Sequence, residues 1–123
     1  MAKVLVVDDD PKAVELLVEF LSTKGYEVLT ATSGEEALRR VKEDRPHLVL
    51  LDVEMPKMNG METLRRIREI DPEMGVIMAT GVNEEDVGRK ALEMGAFDYI
   101  VKPLDMKYLE GSLGYKITTM LMK

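Results

Sequence analysis

Several polar or charged side chains stand directly at the ends of short apolar runs, which makes them candidates for chemistry. The set comprises Asp8, Asp9, Asp52, Thr80 and Lys102. Carboxylates without histidine or cysteine partners are typical ligands of a hard cation, and magnesium suits them better than zinc. A cation held there, with a hydroxyl and an ammonium group beside it, favours a bound phosphoryl group. Asp52 could itself act as a nucleophile and form an acyl phosphate.

The stretch 48–53 predicts the strand that carries Asp52. Its residues are apolar without alternation, apart from Asp52 itself, which is typical of a strand buried on both faces of a parallel sheet. Because an unpaired carboxylate is costly to bury, we expect Asp52 at the mouth of this strand. Open α/β sheets bind their ligands at the carboxyl ends of their strands. Asp52 is therefore the first candidate for chemistry.

Four further apolar runs alternate with amphipathic segments along the chain. The other strands are predicted at residues 4–7, 26–31, 75–80 and 97–101. Residues suited to the starts of the five helices are Asp10, Ser33, Asn59, the pair Asn83 and Asp86, and Asp105. Strands that alternate with helices imply right-handed crossovers and a parallel sheet covered on both faces. We predict one α/β domain spanning residues 1–123.

The first and last helices each show an apolar stripe at helical spacing, which predicts their buried faces. The stripes consist of Ala13, Leu16, Leu17, Phe20 and Leu21, and of Leu109, Leu113, Ile117 and Leu121. The last helix has a second face at the same spacing, made of Tyr108, Gly111, Tyr115, Thr118 and Met122. This second face is either a partner or dimer surface, with Tyr99 nearby, or a solvated face with incidental tyrosines.

The composition is that of a folded, acidic domain. Hydrophobic residues make up 46% and charged residues 33%, which argues against disorder, and the net charge of -6 disfavours binding to duplex nucleic acid. The chain has no cysteine and one histidine, which excludes disulfides, thiolate zinc sites and histidine-rich metal sites. No apolar run is long enough for a membrane span, and the N-terminus lacks a signal-peptide pattern. A cytoplasmic protein is expected.

Four groups of residues resemble motifs of the receiver domain of two-component response regulators, the CheY-like domain. They are Val6-Val7-Asp8-Asp9, Leu51-Asp52 with Met55-Pro56 and Asn59-Gly60, Ala79-Thr80-Gly81, and Tyr99 through Lys102-Pro103. The resemblance covers essentially the whole chain, with the motifs in order and at receiver spacing. It implies a flavodoxin-like (βα)5 doubly wound sandwich whose five-stranded parallel sheet has the order 2-1-3-4-5.

The resemblance also implies roles for the acidic residues. Asp52 would accept a phosphoryl group from a sensor histidine kinase or a histidine phosphotransfer protein. Asp9 and Asp52 would bind Mg²⁺ directly and Asp8 through water. The backbone carbonyl of Glu54 would be a further ligand. The side chains of Glu54 and Val82 occupy positions that tune dephosphorylation in this family.

Three further residues would carry the switch that the resemblance implies. Lys102 would pair with the phosphoryl group, and the Lys102–Pro103 peptide bond would be cis. Thr80 would hydrogen-bond a phosphoryl oxygen, and Tyr99 would change between outward and inward rotamers. The face formed by the fourth helix, fifth strand and fifth helix would then act on a downstream protein or output domain. The chain would work as a monomer or as a phosphorylation-dependent dimer, without binding nucleic acid itself.

Other interpretations place different demands on the sequence. A small Mg²⁺-dependent phosphohydrolase resembling haloacid dehalogenases would carry a second Asp and a Thr shortly after its nucleophile, and residues 53–56 have neither. A flavodoxin would need a phosphate-binding loop after the first strand, where this chain has three acids. A receiver-like interaction module that is not phosphorylated remains an alternative, as does a simple N-cap role for Asp8 and Asp9. The chain is either a stand-alone regulator or a piece of a longer one, and no turnover of a separate substrate is expected.

Overall fold

Five parallel strands form the centre of the molecule. The computed structural model describes residues 2–55, 58–81 and 83–122. In chain order the elements are β1 (Lys3–Val7), α1 (Pro11–Thr23), β2 (Glu27–Ala31), α2 (Gly34–Asp44), β3 (Leu48–Asp52), α3 (Gly60–Ile70), β4 (Gly75–Thr80), α4 (Glu85–Glu93), β5 (Asp98–Val101) and α5 (Met106–Leu121). The strand order is β2-β1-β3-β4-β5 and every neighbouring pair is parallel, which confirms the predicted flavodoxin-like fold.

The helices cover both faces of the sheet. Leu17 and Leu21 of α1 and Leu113 of α5 pack on one face, while Leu64 of α3 and Ala91 of α4 belong to the core on the other, together with residues of α2. All residues of β3 and β4 are buried, since these central strands have helices above and below them. This explains why their sequences are apolar without alternation. Within the described part of the chain, no helix is long and apolar enough to cross a membrane.

Two predicted strands begin one residue later in the structure. Tyr26 was expected in the second strand, but β2 begins at Glu27, because the Tyr26 N–H donates to the Leu21 carbonyl at the end of α1. Phe97 was expected in the fifth strand, and β5 begins at Asp98. The apolar character of these two residues extends each run by one position, although the strand geometry begins after them.

Side-chain caps begin four of the five helices at the predicted residues. Each cap accepts a backbone N–H from the first turn; the caps are Asp10, Ser33, Asn59 and Asp105. The start predicted between Asn83 and Asp86 is only approximate, because Glu84 is the N-cap of α4 and its side chain makes no capping bond. Its carboxylate instead accepts the backbone N–H of Gly81.

Two residues predicted to face the core are exposed. Leu16 is 61% exposed and Leu121 is 70% exposed. In α1 the sheet covers Leu17 and Leu21, and Leu16 lies at the margin of that stripe. In α5 the helix outruns the sheet, since 16 residues span about 24 Å of helix while the four residues of β5 span about 13 Å. Leu121 therefore continues the pattern beyond the surface that would bury it.

Candidate functional site

The carboxyl ends of β1, β3 and β5 bring Asp8, Asp52 and Lys102 together. The Lys102 Nζ lies 3.0 Å from Asp52 Oδ1 and 3.9 Å from Asp8 Oδ2. Asp8 and Asp52 are only 5% and 4% exposed. Buried carboxylates need a charge partner, and Lys102 gives both of them one. The peptide bond between Lys102 and Pro103 is cis.

Three carboxylates at this edge are close enough to hold one cation. Asp8, Asp9 and Asp52 each offer an oxygen within 4.8 Å of the others. The backbone N–H of Asp10 donates to Asp8 Oδ1 at 2.9 Å, and that of Glu54 donates to Asp52 Oδ1 at 3.2 Å. These bonds fix the orientation of both buried carboxylates. An all-oxygen set with one exposed member fits Mg²⁺, which retains several waters.

Burial and mutual charge shift two pKa values in this cluster. Burial raises the pKa of Asp8, the Asp10 N–H opposes this shift, and the negative charge of Asp52 adds to it. Burial alone would lower the pKa of Lys102, but the hydrogen bond and charge of Asp52, with the charges of Asp8 and Glu54, leave it raised. Lys102 is therefore a permanent cation at neutral pH, whereas the fold disfavours the ionised form of Asp8.

Thr80 ends β4 beside Asp52. The register pairs Asp52 with Ala79, the residue before Thr80, and the Lys102 N–H donates to the Thr80 carbonyl at 2.7 Å. Thr80 is fully buried, and its hydroxyl has no hydrogen-bond partner among the described residues. Most buried hydroxyls are paired, so an acceptor supplied from outside the chain would satisfy this one.

The pocket above the sheet is lined by acids with one cation. The charged residues among its described walls are Asp8, Asp9, Asp10, Asp52, Glu54, Glu84 and Lys102. All the site residues predicted at strand ends lie at this edge of the sheet, and Glu54 is exposed on its rim. Two positions named from the sequence, Pro56 and Val82, lie outside the described residues.

Sequence reasoning fell short at two residues in this region, since it gave Gly60 no steric role and did not name Glu84. A Cβ on Gly60 would lie 2.7 Å from the Cα of Val53, so a glycine is required where the start of α3 meets the end of β3. The Asn59-Gly60 pair indicated a turn and a cap, but its spacing does not reveal this close approach. The other is Glu84, whose carboxylate lines the pocket. Nothing in its sequence position pointed there.

Tyr99 lies on β5 and its half-buried ring packs against the core. A Cβ on Gly88 of α4 would lie 2.6 Å from Cγ of that ring. The ring therefore occupies space that only a glycine leaves free, and a move of α4 would change the surroundings of Tyr99. The sequence indicated Tyr99 but not this contact with Gly88.

The second face of α5 is exposed and partly ordered by hydrogen bonds. The hydroxyls of Tyr108 and Ser112 both donate to Asp98 Oδ2, each at 2.8 Å. The rings of Phe97 and Tyr115 are stacked, with their centroids 6.1 Å apart. Tyr108 is 52% exposed and Tyr115 is 68% exposed. The structure thus presents an aromatic groove on this face.

Proteins with similar sequences include an enzyme and a transcriptional regulatory protein. The family described as the response regulator receiver domain matches residues 4–113. The chain is 40% identical over its whole length to a protein-glutamate methylesterase/protein-glutamine glutaminase of Bacillus licheniformis. It is 42% identical over 82% of its length to the alkaline phosphatase synthesis transcriptional regulatory protein PhoP of Bacillus subtilis. It spans 34% and 42% of these two relatives, and so less than half of either.

Solved structures match the fold along nearly the full chain. A response regulator receiver domain protein from Clostridium thermocellum has a TM-score of 0.95 at 36% identity, over 99% of this chain and 98% of that one. A CheY-like receiver domain protein from Methanospirillum hungatei JF-1 has a TM-score of 0.91 at 30% identity, over 97% and 95% of the two chains.

Proposed function

We propose a phosphorylation switch for this chain, which belongs to the response regulator receiver domain family. Such domains are regulatory parts of two-component systems, and phosphorylation and Mg²⁺ are general properties of the family. In the proposal, Asp52 accepts a phosphoryl group from a sensor histidine kinase or a histidine phosphotransfer protein. The observation that carries it is the buried Asp52, 3.0 Å from the Lys102 ammonium and beside two further carboxylates.

The proposed reaction moves a phosphoryl group from a donor histidine to the Asp52 carboxylate. An oxygen of Asp52 attacks phosphorus, a P–O bond forms, and the P–N bond to the donor imidazole breaks. The electron pair stays on the imidazole nitrogen, which takes a proton from solvent. Hydrolysis later ends the signal, when a water oxygen attacks phosphorus and the Asp52 carboxylate leaves. Inorganic phosphate is released and Asp52 is restored.

Mg²⁺ is the cofactor that the donor set fits. We assign direct ligation to Asp9 and Asp52, ligation through water to Asp8, and a further ligand to the carbonyl of Glu54. The close approach of three carboxylate oxygens, of which two belong to buried side chains, supports this assignment. When bound, the ion offsets part of the negative charge that would repel an incoming phosphoryl group.

Lys102 and Thr80 are assigned to the phosphoryl oxygens. The Lys102 ammonium already lies against Asp52 and remains charged at neutral pH, so it can neutralise charge that builds up on the phosphoryl group. The Thr80 hydroxyl is buried without a partner in the described part of the chain, and a phosphoryl oxygen would give it one. Both groups stabilise the acyl phosphate and its transition state.

The output surface is the face formed by α4, β5 and α5. When the Thr80 hydroxyl bonds a phosphoryl oxygen, the segment between β4 and α4 is drawn towards Asp52. The helix α4 in turn contacts the ring of Tyr99 through Gly88. A shift between two arrangements of this segment would alter the position of Tyr99 and thereby the outer face. We assign this face to a downstream protein or output domain in the cytoplasm. The chain acts there as a monomer or as a phosphorylation-dependent dimer, without direct contact to nucleic acid.

Two rival functions are supported less well. A receiver-like module that is never phosphorylated would have no use for a buried Thr80 hydroxyl that lacks a partner among the described residues and lies beside a lysine-paired Asp52. A small phosphohydrolase would need groups that Val53 to Met55 do not provide. This chain matches only 34% of the length of the methylesterase relative. We therefore propose no turnover beyond dephosphorylation of Asp52 itself.

The decisive experiment is intact-mass spectrometry after incubation with acetyl phosphate, with and without Mg²⁺, at times from milliseconds to minutes. The wild-type chain should gain one phosphoryl group only with Mg²⁺, and Asp52→Ala should gain none. Asp86→Ala is the matched control, because Asp86 is an exposed carboxylate outside the pocket lining, and it should behave as wild type. Absence of an adduct on the wild type, or an adduct that persists in Asp52→Ala, would contradict the proposal.

A further inference from the structure

Glu84 folds back over the segment that follows β4. Its Oε1 accepts the backbone N–H of Gly81 at 2.8 Å, and its own N–H donates to the Gly81 carbonyl at 3.1 Å. Glu84 is half-buried and lines the same pocket as Asp52 and Lys102. The Glu84 carboxylate is therefore the hydrogen-bond acceptor of the backbone N–H directly after Thr80.

Two local features accompany this contact. Glu84 is the N-cap of α4, yet its side chain gives the helix no capping bond. A Cβ on Gly81 would lie 2.6 Å from Glu84 Oε1. The carboxylate can thus reach this N–H because residue 81 is a glycine. The contact has the i to i−3 spacing of the glutamate half of a capping box.

We propose that Glu84 is a positioning residue that acts as an intramolecular latch on the phosphorylation site. In the unphosphorylated chain its carboxylate holds the Gly81 N–H, and a phosphoryl group on Asp52 displaces it. The latch rests on the phosphorylation of Asp52 proposed above.

Charge and hydrogen bonding both favour this displacement. A phosphoryl group adds negative charge to a pocket whose described walls already carry six acids and one lysine, so it repels the Glu84 carboxylate. A single N–H serves one strong acceptor, and the register of β3 and β4 places Gly81 two residues beyond the partner of Asp52. The Gly81 N–H thus passes from Glu84 to a phosphoryl oxygen, while the Glu84 side chain turns towards solvent.

The test compares Glu84→Ala and Glu84→Gln with Glu85→Gln. Glu85 is the exposed neighbouring acid in the first turn of α4 and does not line the pocket, so Glu85→Gln controls for the loss of one charge. Removing the latch should raise the initial rate of phosphorylation by acetyl phosphate about threefold to tenfold in Glu84→Ala. Glu84→Gln keeps an acceptor without the charge and should show a smaller increase. Glu85→Gln should match the wild type.

A second readout follows the Gly81 amide directly by NMR of the isotopically labelled chain. Phosphorylation of the wild type should move both the Gly81 amide signal and the carboxyl carbon signal of Glu84. In unphosphorylated Glu84→Ala the Gly81 amide should exchange with solvent faster than in Glu85→Gln. A purely structural role for Glu84 would not couple these signals to phosphorylation.

The outcomes separate the latch from the proposed function. If the wild type is phosphorylated on Asp52 but the Glu84 carboxyl signal stays unmoved, or if Glu84→Ala and Glu85→Gln react at equal rates, the latch is wrong and the switch stands. If the wild type gains no phosphoryl group under any condition, both fail together. Urea midpoints of the variants show whether a changed rate reflects loss of the fold.

Discussion

Asp8 is a carboxylate that the fold buries although its ionised form is disfavoured there. Burial raises its pKa, the Asp10 N–H opposes this, and the charge of Asp52 adds to it. A raised pKa means that the folded state binds this proton more tightly than the unfolded state. The stability that Asp8 contributes is therefore fully present below its unfolded pKa of 3.8 and is lost as the pH rises through its folded pKa. At neutral pH the ionised Asp8 lowers the stability of the fold unless a metal cation binds beside it in addition to Lys102.

Asp8→Asn should accordingly stabilise the metal-free chain at neutral pH. We expect the free energy of unfolding to rise by on the order of 1 kcal/mol, the usual size of a single-residue effect. The gain should vanish as the pH falls below about 4, where Asp8 is protonated in both states. Urea titrations at several pH values measure this. Mg²⁺ should stabilise the wild type by mass action and the variant less.

The control for this prediction is Asp10→Asn. Asp10 is an exposed N-cap, and asparagine caps a helix as well as aspartate does. This variant should leave the stability of the metal-free chain nearly unchanged. A metal-free Asp8→Asn chain that is less stable than the wild type at neutral pH would show that Asp8 is not under electrostatic strain.

At the scale of the elements, glycines in two helices have opposite surroundings. A Cβ on Gly111 or Gly114 of α5 would have no neighbour within 4 Å. A Cβ on Gly88 of α4 would run into the Tyr99 ring. The same chemical change, from glycine to alanine, should therefore give effects of opposite sign in α5 and α4. In α5, which has room for a methyl group at both positions, the glycines lower the stability of the helix.

Gly111→Ala should raise the free energy of unfolding by up to about 1 kcal/mol, because alanine is the better helix former and meets no clash. Gly88→Ala should lower it by about 1–3 kcal/mol, since the new methyl group displaces the ring of Tyr99. Each variant is the other's control in urea denaturation. Equal shifts in the two variants would mean that helix propensity alone governs these sites.

The sequence predicted the elements well where one physical factor dominates. Continuous apolar runs mark buried parallel strands, so the bounds of β4 were predicted to the residue. Periodicity predicted which face of α5 is buried but not how far along the helix the sheet covers that face. Leu121 was therefore expected in the core, although it is exposed. Asp52 and Lys102 were found because each stands directly at the end of an apolar strand, where open α/β sheets bind their ligands. Glu84 and the contact between Gly88 and Tyr99 depend on close approaches in three dimensions, which no spacing along one chain encodes.

At the scale of the whole molecule, exposed apolar side chains are concentrated on one helix. Among the described residues, three of the six large exposed apolar side chains belong to α5, namely Tyr108, Tyr115 and Leu121, and a fourth, Met122, is the C-cap of that helix. With a net charge of -6, two copies repel one another unless a contact surface outweighs that repulsion. The aromatic groove on α5 is the surface that a second copy would use if the phosphorylated chain dimerises.

Alanine at both Tyr108 and Tyr115 should weaken phosphorylation-dependent association at least about tenfold, because exposed aromatic residues carry much of the binding energy of an interface. Sedimentation velocity with acetyl phosphate and Mg²⁺ measures this. Leu16→Ala removes an equally exposed apolar side chain from α1 and should leave association unchanged. If the double variant sediments identically to the wild type, α5 does not form the interface.

The placement of the tyrosines also gives the chain a built-in optical reporter. It has four tyrosines and no tryptophan, and three of the four lie on β5 and α5, at positions 99, 108 and 115. One ring sits against Gly88 and another donates to the Asp98 carboxylate, two surroundings that affect tyrosine emission differently. Unlabelled protein in a fluorimeter should thus report a rearrangement of this one face in real time, with only Tyr26 as background.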